Sequence, residues 1–372
     1  MKRTMWCSFV IAILLQLADR LPVAQSDMAL AAFTIENCWD ASCICDFIEG
    51  NYDNDKCTRK DGKELGKAVR KEYRTLSKEE RERFHKAVWR LHDSDIGVYF
   101  RYVRDHQKGD KGHTIYGGPG FLPWKREFLR RFELYLRESD PDVAVPYIDW
   151  SFEDALENPE DSVLFSEYLM GESPEKGGFL INGPFKGFKT ENGKPGITRH
   201  LASTLCGTRL RPMSYKQVKK ILEMKSYDNF LGYSAPLKPS CPYSSKSHES
   251  VEHMSMASNA FVGGDMNDFS TAPSDPIFYL HSAFLDYLWE HFRQTKQNEN
   301  ERETQYPKDN KDCAPESQFV RHFWNILLFL FCDLSHGGAR CSSKIRKGKP
   351  CKGYTKGENP CYMSECKNNK CS

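Results

Sequence analysis

Four histidines carry side chains that could do metal chemistry: His106, His113, His253 and His281. A neutral imidazole nitrogen is the commonest side-chain ligand for transition metals. The spacing of the four residues does not match a compact metal-binding motif, so a site built from them alone is not favoured. A histidine in isolation, such as His106, is more often a hydrogen-bonded core residue than a ligand.

Two segments differ from ordinary helical sequence and carry the most specific motifs of the chain. Residues 118–129 read Gly-Pro-Gly-Phe-Leu-Pro-Trp-Lys-Arg-Glu-Phe-Leu, and residues 275–282 read Asp-Pro-Ile-Phe-Tyr-Leu-His-Ser. Between them, residues 262–266 read Val-Gly-Gly-Asp-Met. With these motifs, residues 70–295 resemble the tyrosinases, a family of type 3 copper proteins. The cysteine-rich end resembles that of secreted molluscan tyrosinases.

The resemblance implies a fold and a chemistry. In the family, a four-helix core holds two copper ions through three histidine imidazoles each, and the metal pair binds dioxygen. Phenols are hydroxylated or catechols are oxidised, and the o-quinone product crosslinks proteins or polymerises to pigment. The fold class expected here is mainly α, with a tyrosinase-like four-helix-bundle core wrapped by long loops and a small cysteine-rich C-terminal extension.

The first copper position keeps one histidine in the register that the family motifs give. Tyr99 stands seven residues before His106, as the family pattern requires for a ligand late in a helix. The other two ligand positions, aligned on the Phe-Leu-Pro-Trp motif, hold Tyr116 and Lys125. His113 is three residues from Tyr116 and is the substitute ligand to consider if the loop shifts.

The second copper position has no histidine in the same register. Counting back from the Gly-Gly pair places Asn259 and Ser255 four residues apart on one helical face, where the family has two ligands. The third ligand position, the second residue of a His-His pair in the family, is Ser282. His281 matches the family's supporting histidine, which does not bind the metal, and His253 would require a different register.

One of six ligand positions therefore retains its histidine, and an ammonium at Lys125 would repel a metal cation. The resulting hypothesis is a non-catalytic extracellular matrix or binding component with a degenerate dicopper site and no cofactor. The alternative hypothesis is a copper-dependent phenol or catechol oxidase with rearranged ligation, which would act on phenolic small molecules.

The elements that must position these residues are predicted to be helices. Ser77 and Glu80 have the spacing of a capping box, and apolar residues follow at three- and four-residue steps. Further helices are predicted over residues 96–106, 124–136 and 276–292. Asp275 is expected to cap the last of them. Strand-like alternation is scarce, and residues 157–239 indicate long irregular loops with short helices.

The cysteines and the N-terminus indicate an oxidising compartment. Of 14 cysteines, ten lie in the first 60 or last 40 residues, which is typical of ends stapled by disulfides. Residues 1–26 have the pattern of a signal peptide, so the protein is predicted to be secreted, with an odd cysteine left after cleavage. The predicted segments are a signal peptide (1–26), a cysteine-rich N-terminal segment (27–69), a tyrosinase-like domain (70–295), a linker (296–331) and a cysteine-rich tail (332–372).

The overall charge excludes several classes of partner. With 53 Lys+Arg against 51 Asp+Glu, the 372-residue chain offers no electrostatic case for a nucleic acid, a polybasic membrane contact or another polyanionic partner. No apolar run is long enough to span a membrane. Extracellular matrix proteins are the partners expected under the preferred hypothesis.

Overall fold

The computed structural model describes residues 38, 40–111, 118, 120–205, 207–231, 240, 250–305, 330–333, 335, 340–343, 345, 347–355, 358, 360–361 and 364–372. The chain forms two compact units, Met1–Trp39 and Asp40–Ser372. Of the first unit, only Cys38 is described. The predicted signal peptide and most of the predicted linker lie outside the described residues, and the predicted segment boundaries stay predictions.

Helices dominate the described part of the second unit. Its α-helices are α1 (Ala41–Phe47), α2 (Lys78–His92), α3 (Val98–Lys111), α4 (Phe121–Ser139), α5 (Ser151–Asp154), α6 (Tyr215–Glu223), α7 (Tyr227–Leu231), α8 (Val251–Val262), α9 (Ile277–Lys296) and α10 (Glu299–Thr304). No helix among the described residues is long and apolar enough to cross a membrane. The predicted mainly α class is confirmed.

The strands of the described part are short, and they pair with one another as two-stranded antiparallel ribbons. They are β1 (Asn51–Asp53) with β2 (Lys56–Thr58), β3 (Gly178–Phe179) with β4 (Thr198–Arg199), β5 (Thr204–Leu205) with β6 (Thr208–Arg209), β7 (Leu330–Asp333) with β8 (Arg340–Ser343), and β9 (Cys366–Lys367) with β10 (Lys370–Cys371). Such ribbons cannot form a core of their own, so the helices supply it.

The four predicted helices are all present. Helix α2 begins with the predicted capping box: the Ser77 hydroxyl accepts from the Glu80 amide, and the Glu80 carboxylate accepts from the Ser77 amide. Helix α4 packs on both α2 and α9, and α3 packs on α2. Between α4 and α9, the rings of Phe132 and Tyr279 stack with centroids 3.6 Å apart. Helix α8 contacts α9, so the helices that carry the predicted site residues, α3, α4, α8 and α9, are all joined to this core.

The segment predicted as irregular loops contains 3-10 turns, two-residue strands and the short helices α6 and α7. It is fixed to the core by a buried ion pair in which Arg199 donates two hydrogen bonds, of 2.7 and 2.9 Å, to Asp275. Both side chains are fully buried. Asp275 also accepts from the Ile277 amide at 3.1 Å, but the N-cap position of α9 is Pro276, one residue after the predicted cap, and the principal partner of Asp275 is Arg199.

Disulfides staple both ends of the described part. Cys45 bonds to Cys57 near the N-terminus. In the tail, Cys351 bonds to Cys366 and Cys361 bonds to Cys371. The predicted stapling is confirmed at these bonds. The central cysteines at positions 206, 241 and 313 lie outside the described residues, so the odd cysteine stays unassigned.

Candidate functional site

Four helices bring the predicted site residues into the protein interior. Helix α3 carries His106, α4 carries Lys125, α8 carries Ser255 and Asn259, and α9 carries His281 and Ser282. Each of the six is at most 5% exposed. Of the other three candidates, Tyr116 and His113 lie outside the described residues, and His253 is on α8.

The ring of Phe278, at the start of α9, joins the two described positions of the first copper site. Its centroid is 4.9 Å from that of the His106 ring and 4.7 Å from Lys125 Nζ. Trp124 packs edge-on against the other side of the imidazole, with centroids 5.5 Å apart. His106 and Lys125 therefore share one aromatic environment, although they lie on different helices.

His106 does not have the hydrogen bonds of an ordinary core histidine. In the described part of the chain, neither ring nitrogen has a partner with full hydrogen-bond geometry, although the imidazole is buried. Burial lowers the pKa of His106 well below its ordinary value, Lys125 lowers it further, and the backbone of Phe269 offsets part of the effect. The imidazole is therefore neutral at physiological pH. Buried polar atoms are normally paired, and the Phe269 backbone lies near one ring nitrogen, so the other nitrogen is the one available to a ligand.

Lys125 is a buried amine without a carboxylate partner in the described part of the chain. Its Nζ atom lies 5.3 Å from the Phe121 ring centroid, in addition to the Phe278 contact. An ammonium over two aromatic faces gains cation–π attraction, which replaces part of its lost hydration. Burial lowers the pKa of Lys125 from 10.5 to about 7. Near neutral pH the side chain is a mixture of ammonium and free amine.

His281 has both of its ring nitrogens engaged by protein groups. The Trp150 indole N–H donates to Nδ1 at 2.9 Å, and Nε2 lies 3.0 Å from the Ser255 hydroxyl. Because Nδ1 accepts, the neutral ring carries its proton on Nε2 and donates it to Ser255. Burial, assisted by Lys125, lowers the pKa of His281 to about 3 and keeps it neutral. This geometry leaves no nitrogen of His281 for a metal.

The remaining positions carry oxygen atoms. Ser255 and Asn259 lie one helical turn apart on the buried face of α8. The Asn259 amide oxygen and the Ser282 hydroxyl are buried and have no hydrogen-bond partner in the described part. His253, the alternative ligand on α8, is partly exposed and contacts Ser250 at 3.0 Å. The structure therefore does not group His253 with the buried residues.

Some of the residues that hold this region together carry no local sequence signal. Trp150 orients His281 from 131 positions away, and Phe278 joins His106 to Lys125. Glu252 accepts a hydrogen bond of 2.8 Å from the Gly118 amide and so ties α8 to the segment before α4. Single-sequence periodicity cannot detect such pairs because they join distant segments.

The described side chains do not fit a pair of copper ions. The five described positions that the sequence register predicts for copper ligands offer one imidazole, one amine, two hydroxyls and one amide. Copper sites of this class depend on imidazole nitrogen, and uncharged hydroxyl and amide oxygens are poor substitutes. In the described part, the three-residue group of potential ligands that converges is Cys351, Cys361 and Cys371, whose sulfurs are in disulfides.

Four helices bring these positions into one buried core. This arrangement is the fold class of the type 3 copper proteins. The family model "Common central domain of tyrosinase" matches residues 85–295, more than half of the chain. The chain therefore belongs to the tyrosinase family.

Similar proteins come from nematodes, bacteria and molluscs. The tyrosinase-like protein tyr-3 of Caenorhabditis elegans is 34% identical, over 91% of this chain and 52% of its own length. Tyrosinase of Streptomyces glaucescens is 31% identical, over 59% of this chain and 81% of its own length. Tyrosinase-like protein 1 of Margaritifera margaritifera is 31% identical, over 55% of this chain and 40% of its own length. The chain thus spans about half the length of the nematode relative and less of this molluscan one.

Proposed function

We propose that this chain is a secreted tyrosinase-family protein without a competent dicopper centre, acting as a non-catalytic component of an extracellular matrix. The observation that carries the proposal is Lys125, a buried amine at a ligand position with no carboxylate partner in the described part. The disulfides at both ends of the described part support the extracellular location, since such bonds persist in oxidising compartments.

The donor set supports the same proposal. Loss of even a residue that only orients a metal ligand typically lowers affinity or activity by about 10–100-fold. Here five of six ligand positions lack histidine. Ser255 already accepts a hydrogen bond from His281, so it is engaged in the protein's own network. A charged Lys125 adds repulsion of about 8 kcal/mol for a divalent ion 4 Å away at an effective dielectric constant of about 20.

The second candidate is a copper-dependent phenol or catechol oxidase with rearranged ligation. His106 favours it, because its imidazole is buried and neither nitrogen has a partner of full hydrogen-bond geometry in the described part. Lys125 favours it in part, because a pKa of about 7 makes the free amine accessible at neutral pH. The His106 imidazole and the Lys125 amine together could hold one copper ion and not two. His113 or His253 would have to complete it.

The deciding experiment measures copper and turnover on one sample. The secreted protein is loaded with copper, freed of excess metal and measured for copper per chain by mass spectrometry, and catechol oxidation is then followed optically. Streptomyces tyrosinase, handled identically, is the positive control. We expect copper well below one ion per chain and no quinone above the rate of free copper.

A His106→Ala variant separates specific from adventitious binding. Under the proposal, the variant and the parent retain equally little copper, because His106 holds none. About two coppers per chain with turnover would refute the proposal. About one copper, lost in His106→Ala, would favour the one-copper oxidase instead.

A further inference from the structure

The cysteine-rich tail, residues 332–372, carries a local charge that the whole-chain balance conceals. It contains nine Lys or Arg residues against three Asp or Glu residues, a net charge of +6, whereas the complete chain has a net charge of +2. The rest of the chain is therefore net negative. The sequence argument against a polyanionic partner used the net charge of the whole chain, so it does not apply to this segment.

The basic segment has a defined backbone. Strands β9 and β10 form a hairpin through Asn368 and Asn369, both in the left-handed region. A third segment pairs with β10, since Pro350 and Lys370 form an antiparallel bridge and the Cys371 amide donates to the Lys349 carbonyl at 3.0 Å. The disulfide Cys351–Cys366 joins the third segment to β9, and Cys361–Cys371 joins β10 to the chain at Cys361.

This framework presents lysines to solvent. The described lysines of the tail are all exposed: Lys347, Lys349, Lys352, Lys367 and Lys370. Lys367 and Lys370 are directly opposite each other across the hairpin, and Lys349 flanks Pro350 beside Lys370. Glu365 forms an ion pair with Lys367 at 2.8 Å, and among the described residues no carboxylate pairs with Lys349 or Lys370.

Like charges directly opposite in a hairpin are destabilising. The disulfides hold Lys367 and Lys370 in this arrangement without a hydrophobic core, since the interior consists of cystine sulfur and Ile345. A polyanion would relieve the repulsion by placing several negative groups along the row. The large exposed apolar side chains of the described structure all lie outside the tail, so the described part of the tail offers no such side chain to a lipid surface.

We propose that residues 345–372 of the cysteine-rich tail bind an acidic polysaccharide of the extracellular matrix through their exposed lysines. Sulfate and carboxylate groups spaced along a flexible chain suit a row of ammonium groups on a rigid hairpin. The inference shares the extracellular location with the proposed function. It is independent of whether copper binds, because the tail contributes none of the described site residues.

The test uses the full-length secreted chain and heparin as the probe, with uncharged dextran as the ligand control. The variant Lys367→Gln/Lys370→Gln removes the opposed pair, and Lys367→Arg/Lys370→Arg keeps the charge. Lys216→Gln/Lys219→Gln, on exposed positions of α6, gives the same change in net charge away from the tail. Calorimetry at 50, 100 and 200 mM NaCl measures affinity and its salt dependence.

We expect the Gln pair in the tail to weaken heparin binding by about 10–30-fold at low salt, on the basis of about 1 kcal/mol per lysine near an anionic surface. The Arg pair should retain affinity, and the α6 pair should change it less than twofold. Equal binding of dextran, or equal loss in the α6 pair, would overturn the proposal. Stronger binding to phosphatidylserine vesicles than to heparin would also overturn it, in favour of a lipid surface.

Copper content measured on the same preparations keeps the two proposals separable. A copper-loaded, active protein that still binds heparin through the tail would refute the non-catalytic function alone. A copper-free protein whose tail variants bind heparin like the parent would refute the polysaccharide proposal alone.

Discussion

Replacing Lys125 by methionine should stabilise the protein at neutral and acidic pH, and the gain should shrink as the pH rises. Burial lowers the pKa of Lys125 to about 7 in the folded protein, from 10.5 in the unfolded chain. Between these pH values the unfolded chain binds more protons than the folded protein, so the parent gains stability as the pH increases. Methionine has a similar shape and no charge, so the variant lacks this increase in stability with pH.

The magnitude follows from the difference in pKa. At 1.36 kcal/mol per unit, the folded parent bears a penalty of about 5 kcal/mol at pH 6 and about 2 kcal/mol at pH 9. Cation–π contacts with Phe121 and Phe278 offset part of the absolute value at low pH. The difference in unfolding free energy between variant and parent should therefore fall by up to about 3 kcal/mol from pH 6 to pH 9.

The assay is urea unfolding followed by circular dichroism at pH 6, 7, 8 and 9, with disulfides intact. Groups that titrate identically in both proteins cancel in the difference. Lys216→Met, at an exposed position of α6, is the matched control and should change stability by less than about 0.5 kcal/mol at every pH. A difference for Lys125→Met that is constant with pH, or a variant destabilised at pH 6, would refute the reasoning and indicate an anionic partner for Lys125.

Two further substitutions test the buried contacts. Asp275→Ala leaves the Arg199 guanidinium buried and unpaired and should cost about 3–5 kcal/mol in urea unfolding, whereas Glu223→Ala, in an exposed pair on α6, should cost less than about 0.5 kcal/mol. A loss below 1 kcal/mol for Asp275→Ala would contradict the pairing. Ser255→Ala removes the partner of His281 Nε2 and should cost about 1–3 kcal/mol, whereas Ser282→Ala removes a hydroxyl without a described partner and should be neutral or stabilising. Equal losses of stability in the two serine variants would show that the hydrogen bond to His281 is not the cause of the loss in Ser255→Ala.

The sequence predicts the helices because their signals are local. The capping box at Ser77 and the apolar spacing of α2, α4 and α9 depend on residues within a few positions of one another. Helical spacing likewise predicts that Ser255 and Asn259 share a face, and both lie on the buried face of α8. The partners that fix the interior could not be predicted, since Arg199 pairs with a residue 76 positions away. Hydrogen bonds of this kind depend on how helices pack.

The motifs that identify the family are largely stabilising parts of the fold, so their presence does not decide the chemistry. Phe121 and Phe128 bury their rings at the start of α4, and Asp275 holds Arg199. None of these contacts requires a metal. A chain can therefore retain the whole framework, and match the family model, while the side chains at the metal positions change. For this reason the identities and hydrogen bonds of His106, Lys125 and their neighbours decide between the two proposed functions, and the overall similarity does not.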